Sequence, residues 1–162
     1  MSPLLRPRPR IPDAPPSQIG DPRHRPVVLA TLAVPFEPDA ARVAVQAALE
    51  GGVKLIVVDA VEMPLWLQSM TTRRAELELD DDRAAVRRMV EQIAALDIEV
   101  EHLRVRSPRP VEALLEVVSE CDAGLLVLGA DPSRLRPRLF RRAVKRIRRR
   151  ASCLLWIAGE GP

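Results

Sequence analysis

Five short apolar runs, at residues 27–34, 53–61, 98–105, 124–129 and 153–158, are separated by gaps too long for hairpins. Most of the gaps hold residues whose apolar members recur every three or four positions, the spacing of one helical face. Parallel strands need a crossover of about a dozen residues or more, and such crossovers are right-handed. The alternation therefore predicts an α/β fold: a doubly wound, five-stranded, mostly parallel sheet with helices on both faces, Rossmann-like in layout. The first two runs, VVLATLAV and VKLIVVDAV, are almost continuously apolar, as strands covered on both faces must be. The third alternates imperfectly, which favours an edge, and the fifth, short and last, is expected at the other edge.

The helical gaps carry their own punctuation. Pro38 suits a first helical turn, Ala40, Val43, Ala44, Ala47 and Ala48 share a face, and Gly51-Gly52 ends the run. Asp80-Asp81-Asp82 reads as the cap and acidic first turn of a second helix whose face is Val86, Met89, Val90, Ile93 and Ala94. Residues 62–79 then become a long connection. Ser107-Pro108-Arg109-Pro110 introduces a third helix, with Val111, Leu114, Leu115, Val118 and Cys121 as its stripe. Leu139, Ala143, Val144 and Ile147 form the stripe of a fourth. In such sheets ligands sit beyond the carboxyl ends of the strands where strand order reverses. The loops after Val34, Val61 and Gly129 are the ones to inspect.

Aromatic residues make up only 2% of the chain, so the core must be aliphatic. Residues 1–26 are rich in proline and arginine and offer no face to bury. They are expected to form a disordered tail, with the domain over 27–158 and a short C-terminal tail at 159–162. The N-terminal residues lack the apolar core of a secretory signal, and no apolar run approaches the roughly 18 residues of a membrane span. Two widely separated cysteines suit a reducing cytoplasm.

Charge is unevenly placed. Residues 27–133 carry 19 acidic and 10 basic side chains, whereas residues 134–150 carry ten basic groups and no acid. Arg138, Arg142, Arg146, Arg149 and Arg150 are expected to face solvent. A crowded cationic face adds little stability and points to an anionic partner, nucleic acid or a membrane surface, gripped through phosphate-type contacts, with the acidic surface of the same chain in a dimer as the alternative. No aromatic residues for base stacking accompany it, so such binding would be blind to sequence.

The segment ECDAGLLVLGADPSRLRPRLFRRAVKRIRRRASCLLWIA, residues 120–158, resembles the universal stress protein family: an acidic residue and alanine, an apolar strand ending in glycine, a basic loop, a helix, then a cysteine entering the final strand. The resemblance extends in layout over residues 27–158. It implies a parallel sheet with the first strand central and a homodimer formed through the last strand, here Leu154, Leu155, Trp156 and Ile157. Nucleotide-binding members of that family carry the phosphate loop Gly-x2-Gly-x9-Gly-[Ser/Thr]. Gly129 matches its first position, but Pro132, which has no N–H to give, stands at the second. The closing pair falls on Arg142-Ala143, or on Arg141-Arg142 if the count is anchored at Cys153. The aspartate that such members carry at the end of the first strand is replaced near Leu32. The resemblance thus implies a family scaffold with a degenerate nucleotide site: a non-catalytic regulatory or stress-associated domain without specific ATP binding. The alternatives are an accessory subunit held through the arginine-rich segments and an ATP-binding protein with an atypical pocket.

The remaining reactive residues read as structural. His24 and His102 have no arranged nucleophile or acid beside them. Asp80-Asp81-Asp82 lacks the spread ligands and turn glycine of a cation loop. Cys121 and Cys153 lie on apolar faces, and Trp156 reads as core or interface. Met63, Leu65, Trp66 and Leu67 form an apolar cluster that covers the sheet edge or meets a partner.

Overall fold

The computed structural model describes residues 24–63 and 73–160, with the side chains of residues 73–82 and of Pro132 left aside. Apart from residues 24–26, the proline-arginine segment lies outside the described residues, as do Leu65, Trp66 and Leu67. Residues 24–26 are tied to the domain: Gly124 donates to the Pro26 carbonyl at 3.0 Å, and Arg25 Nε lies 3.3 Å from the Asp122 carboxylate.

Strands and helices alternate along the chain: β1 (Val27–Thr31), α1 (Pro38–Gly51), β2 (Leu55–Glu62), α2 (Arg73–Ala94), β3 (Val100–Ser107), α3 (Pro110–Glu120), β4 (Leu125–Leu128), α4 (Pro137–Arg150) and β5 (Leu154–Ile157). All four pairings are parallel, in the order β3-β2-β1-β4-β5. The first strand is central, and the imperfectly alternating third and the short fifth are the two edges.

The pleat sends alternate residues of each strand into two separate cores. On one side Val28, Ala30, Ile56, Val58, Leu126 and Leu128 pack with α3 and α4. On the other, Val27, Leu29, Leu55, Val57 and Val127 pack with α1 and α2. Leu29, Leu55, Leu114 and Leu126 are fully buried. Each such side chain contributes about 1.5–3 kcal/mol by leaving water, which is how a core almost without aromatic rings holds together. On α1 the face that meets the sheet is Ala40, Ala44 and Ala48, small residues that let the helix axis come close. The helix stops at Gly52, whose φ of 58° is left-handed, while the Gly52 and Val53 amides close on the Leu49 and Ala48 carbonyls.

Two expectations fail. Asp80-Asp81-Asp82 does not begin the second helix: α2 already runs from Arg73, and the three aspartates lie inside it. The upstream stretch RRAELEL consists almost wholly of strong helix formers, and their summed propensity carries the helix through the acidic run. Leu139 is not buried with the rest of its stripe. Val144 and Ile147 enter the core, but Leu139 is 55% exposed.

Candidate functional site

The strand order turns about β1, whose neighbours β2 and β4 lead their crossovers in opposite directions. The loops leaving β1 and β4 therefore border the crevice where such folds place ligands. After Thr31 the chain leaves the ladder in a tight turn. The Thr31 hydroxyl, fully buried, donates to the Val34 carbonyl, and Ala33 adopts a left-handed φ of 59°. For a residue with a Cβ that conformation costs about 1–2 kcal/mol, so the turn is held by its surroundings.

The returning chain is then fastened to the loop after β4. Phe36 and Ala130 form an isolated antiparallel bridge, with the Glu37 amide 2.8 Å from the Gly129 carbonyl and the Asp131 amide 3.3 Å from the Pro35 carbonyl. Gly129 is consumed entirely by this architecture. Its amide donates to the Ala30 carbonyl at 2.8 Å, and its carbonyl receives Glu37. A Cβ there would stand 2.7 Å from the Ala40 Cβ and 3.0 Å from the Phe36 ring. The glycine at the first position of the phosphate loop is thus a packing glycine, seating α1 on the sheet.

Beyond it the loop closes on itself. Asp131 caps a short 3-10 turn at Pro132–Arg134, its carboxylate accepting from the Ser133 amide at 2.9 Å and the Ser133 hydroxyl at 2.6 Å. These bonds hold the Asp131 carboxyl below its ordinary value. The Ser133 amide and hydroxyl, two donors that this turn could offer an anion, are occupied by the protein's own carboxylate, and the Arg134 amide by the Asp131 carbonyl. Sequence reasoning missed this, although Asp-Pro-Ser is the signature of a cap followed by proline in the first turn.

Beside the crevice, on the α3–α4 side of the sheet, lies a cavity of about 450 Å³. Leu32, Ala33 and Val34 form one wall, Ala60 and Glu62 at the end of β2 a second, and Pro110 and Val111 at the start of α3 a third. Leu135 and the α4 residues Leu139, Phe140 and Ala143 complete the apolar lining, with Arg142 and Arg146 adding two guanidinium groups. Arg146 is engaged across the helix pair with Glu112 of α3. Arg142 is exposed and makes no ion pair with a described acid. Of the residues singled out for the phosphate loop, Arg142 and Ala143 line the cavity. Gly129 is beneath α1, and Arg141 is exposed on the outer surface of α4.

Arg138, Arg142, Arg146, Arg149 and Arg150 all lie exposed, as expected. Of the α4 cations, Arg146 pairs with Glu112 and Arg148 with Glu160. Arg138, Arg141, Arg142, Lys145, Arg149 and Arg150 have no ion-pair partner among the described residues. On β5, Leu154 is 75% exposed, Leu155 and Trp156 are half-buried, and Ile157 belongs to the core. Partial desolvation on β3 lowers the otherwise exposed His102 imidazole from its usual value, and burial raises both cysteine thiols, which are half-buried. Among the described residues no group of three or more His, Cys, Asp or Glu could hold a metal ion, and no helix is long and apolar enough to cross a membrane.

A parallel sheet of this order, with its cavity beside the reversal of strand order, defines a Rossmann-like α/β domain. The chain belongs to the universal stress protein family, whose sequence profile matches residues 24–158. No curated protein matches the chain. Several solved structures share the fold. A universal stress protein family member from Burkholderia pseudomallei is 18% identical with a TM-score of 0.58, the match covering 85% of this chain and 98% of that one. The universal stress protein of Archaeoglobus fulgidus in complex with dAMP is 19% identical with a TM-score of 0.57, covering 83% and 97%. A family member from Arabidopsis thaliana with AMP bound is 12% identical with a TM-score of 0.52, covering 85% and 95%.

Proposed function

We propose that this chain is a non-catalytic regulatory or stress-associated domain of the cytoplasm whose loop after β4 no longer takes the phosphates of ATP. The observation that carries the reading is the capture of both Ser133 donors by the Asp131 carboxylate. Anion-binding loops aim free N–H groups outward. Here the donors are satisfied internally, and an arriving phosphate meets a fixed negative charge. The family relatives solved with dAMP and AMP make nucleotide the natural comparison. Isothermal titration with Mg-ATP at millimolar concentration should give no saturable heat, and a micromolar dissociation constant would overturn the reading. A substitution at Gly129 is not a usable control, because any Cβ there collides with α1.

Two partner readings accompany it. The exposed edge of β5, with Leu154 in solvent, supports a homodimer joined through that strand, since apolar edges aggregate unless paired or covered. Leu154→Lys should then shift the protein towards monomer in sedimentation velocity, and a wild-type protein monomeric at tens of micromolar sinks the idea. The unpaired cations of α4 support an anionic macromolecular partner, either as a transient ligand or as the larger assembly of which this chain is an accessory subunit.

A further inference from the structure

We infer that the cavity between α3 and α4 binds a small apolar acid, an alkyl carboxylate whose body lies on Leu32, Val34, Leu139 and Phe140 and whose head meets Arg142. The inference goes beyond the regulatory reading and rests on it in one respect, that nucleotide does not fill the same space. Three observations converge on this ligand class.

The first is size and lining. A cavity of about 450 Å³ falls within the range of small-molecule pockets, which are mostly apolar with a few placed polar groups. Leu32, Ala33 and Val34 turn no side-chain donor or acceptor towards a ligand, so the polar edges of a base or a ribose would be left without side-chain partners on this wall. An alkyl chain has no such edges to satisfy.

The second is the unfinished stripe of α4. Leu139 shares a helical face with Ala143, Val144 and Ile147, yet it is 55% exposed while Val144 and Ile147 are buried. The stripe does not change character at Leu139. What changes is the partner: the deeper residues meet the sheet, whereas Leu139 meets the cavity. A hydrocarbon body in the cavity completes the core that the sequence pattern specifies.

The third is the charge at the mouth. Arg146 is already occupied by Glu112, and Glu62 adds one acid to the lining, which leaves Arg142 as the lining cation without a described acid partner. A guanidinium matches a carboxylate in a bidentate, charge-assisted pair.

Octanoate is a suitable probe, with 1-octanol as the uncharged analogue and octyl phosphate as the phosphate-headed one. Titration calorimetry of the full chain should show one saturable site for octanoate and a thermal midpoint that climbs with its concentration. Octanol should bind about tenfold more weakly or worse, because it forfeits the charge-assisted pair. Arg142→Gln should weaken octanoate by a similar factor while leaving octanol unchanged. Ala143→Met, which fills the cavity from α4, should abolish binding of both, and circular dichroism reports whether that variant is folded. If it is not, Arg142→Gln alone decides. The inference is overturned by no saturable heat at millimolar octanoate, by equal affinity for octanol, by preference for octyl phosphate, or by binding indifferent to Arg142. It is likewise overturned if octanoate acts only by changing the sedimentation coefficient, which would mark the cavity as a contact between copies. Failure with octanoate leaves the Mg-ATP result untouched, and saturable Mg-ATP binding displaced by octanoate would instead strike at the regulatory reading.

Discussion

Helices α3 and α4 lie in the same layer, on the same face of the sheet, and touch each other through Glu112 and Arg146. They are otherwise built on opposite terms. In its 11 residues α3 buries Val111, Leu114, Leu115 and Val118, and its charged residues within that span are all acids. The 14 residues of α4 bury only Val144 and Ile147, and the charged residues there are all basic. A helix can therefore be docked by two deep side chains and leave the rest of its surface to another purpose. Stability explains α3, whereas it explains only a narrow strip of α4.

The comparison breaks most visibly at the deep positions. Leu114 and Ile147 are both fully buried, one on each helix. Leu114→Ala and Ile147→Ala should each cost about 2–5 kcal/mol in urea denaturation, since the transfer and cavity penalties depend on burial and not on which helix is affected. If Ile147→Ala costs a small fraction of Leu114→Ala, α4 is held by its charges, and the distinction drawn between the helices is wrong.

How far the amino-acid sequence reveals these differences depends on the range of the interaction. The stripes of α1 and α3 and the deep half of α4 follow from periodicity alone, because burial against a sheet imposes it. The parallel alternation and the edge places of the third and fifth strands follow from the gap lengths and the apolar runs, whereas the central place of the first strand is implied by the family resemblance alone. The start of α2 was misplaced because a good capping signal at Asp80-Asp81-Asp82 competes with upstream residues that also favour helix, and local rules do not rank the two. Leu139 misleads for another reason: periodicity tells which face is apolar, but not whether a neighbouring element reaches every turn of it. The loop after β4 was legible as altered, from Pro132 and the missing glycine-hydroxyl pair. Its closure by Asp131 onto Ser133 is equally local, since Asp-Pro-Ser carries the cap and the first-turn proline in three consecutive residues. The Glu112–Arg146 pair was beyond reach, because it joins residues far apart in the chain.

A smaller effect on stability sharpens the same contrast. Replacing Arg138, Arg142 and Arg149 together by Gln leaves the Arg146–Glu112 pair intact and removes cations that have no described acid partner. The stability should stay level or rise slightly, within about 0.5 kcal/mol, as it usually does for surface changes, and the melting temperature should move with it. Relief of like-charge repulsion between Arg138 and Arg142, four residues apart, favours the rise. Retention on heparin should meanwhile weaken, with a shallower dependence on salt by about one unit per lost phosphate contact. A marked loss of stability, with heparin retention intact, would make these arginines structural.

Gly129 carries a lesson about reading motifs. Its amide and carbonyl are spent on the chain itself, and its missing side chain is the space that Ala40 occupies. The close approach of α1 by itself holds that place to glycine, whether or not the loop takes a phosphate. The neighbouring positions, free of any such obligation, could drift to proline and arginine. A glycine found there in an unfamiliar relative is thus a signature of scaffold geometry, and the evidence for a ligand has to be sought at the positions that packing leaves at liberty.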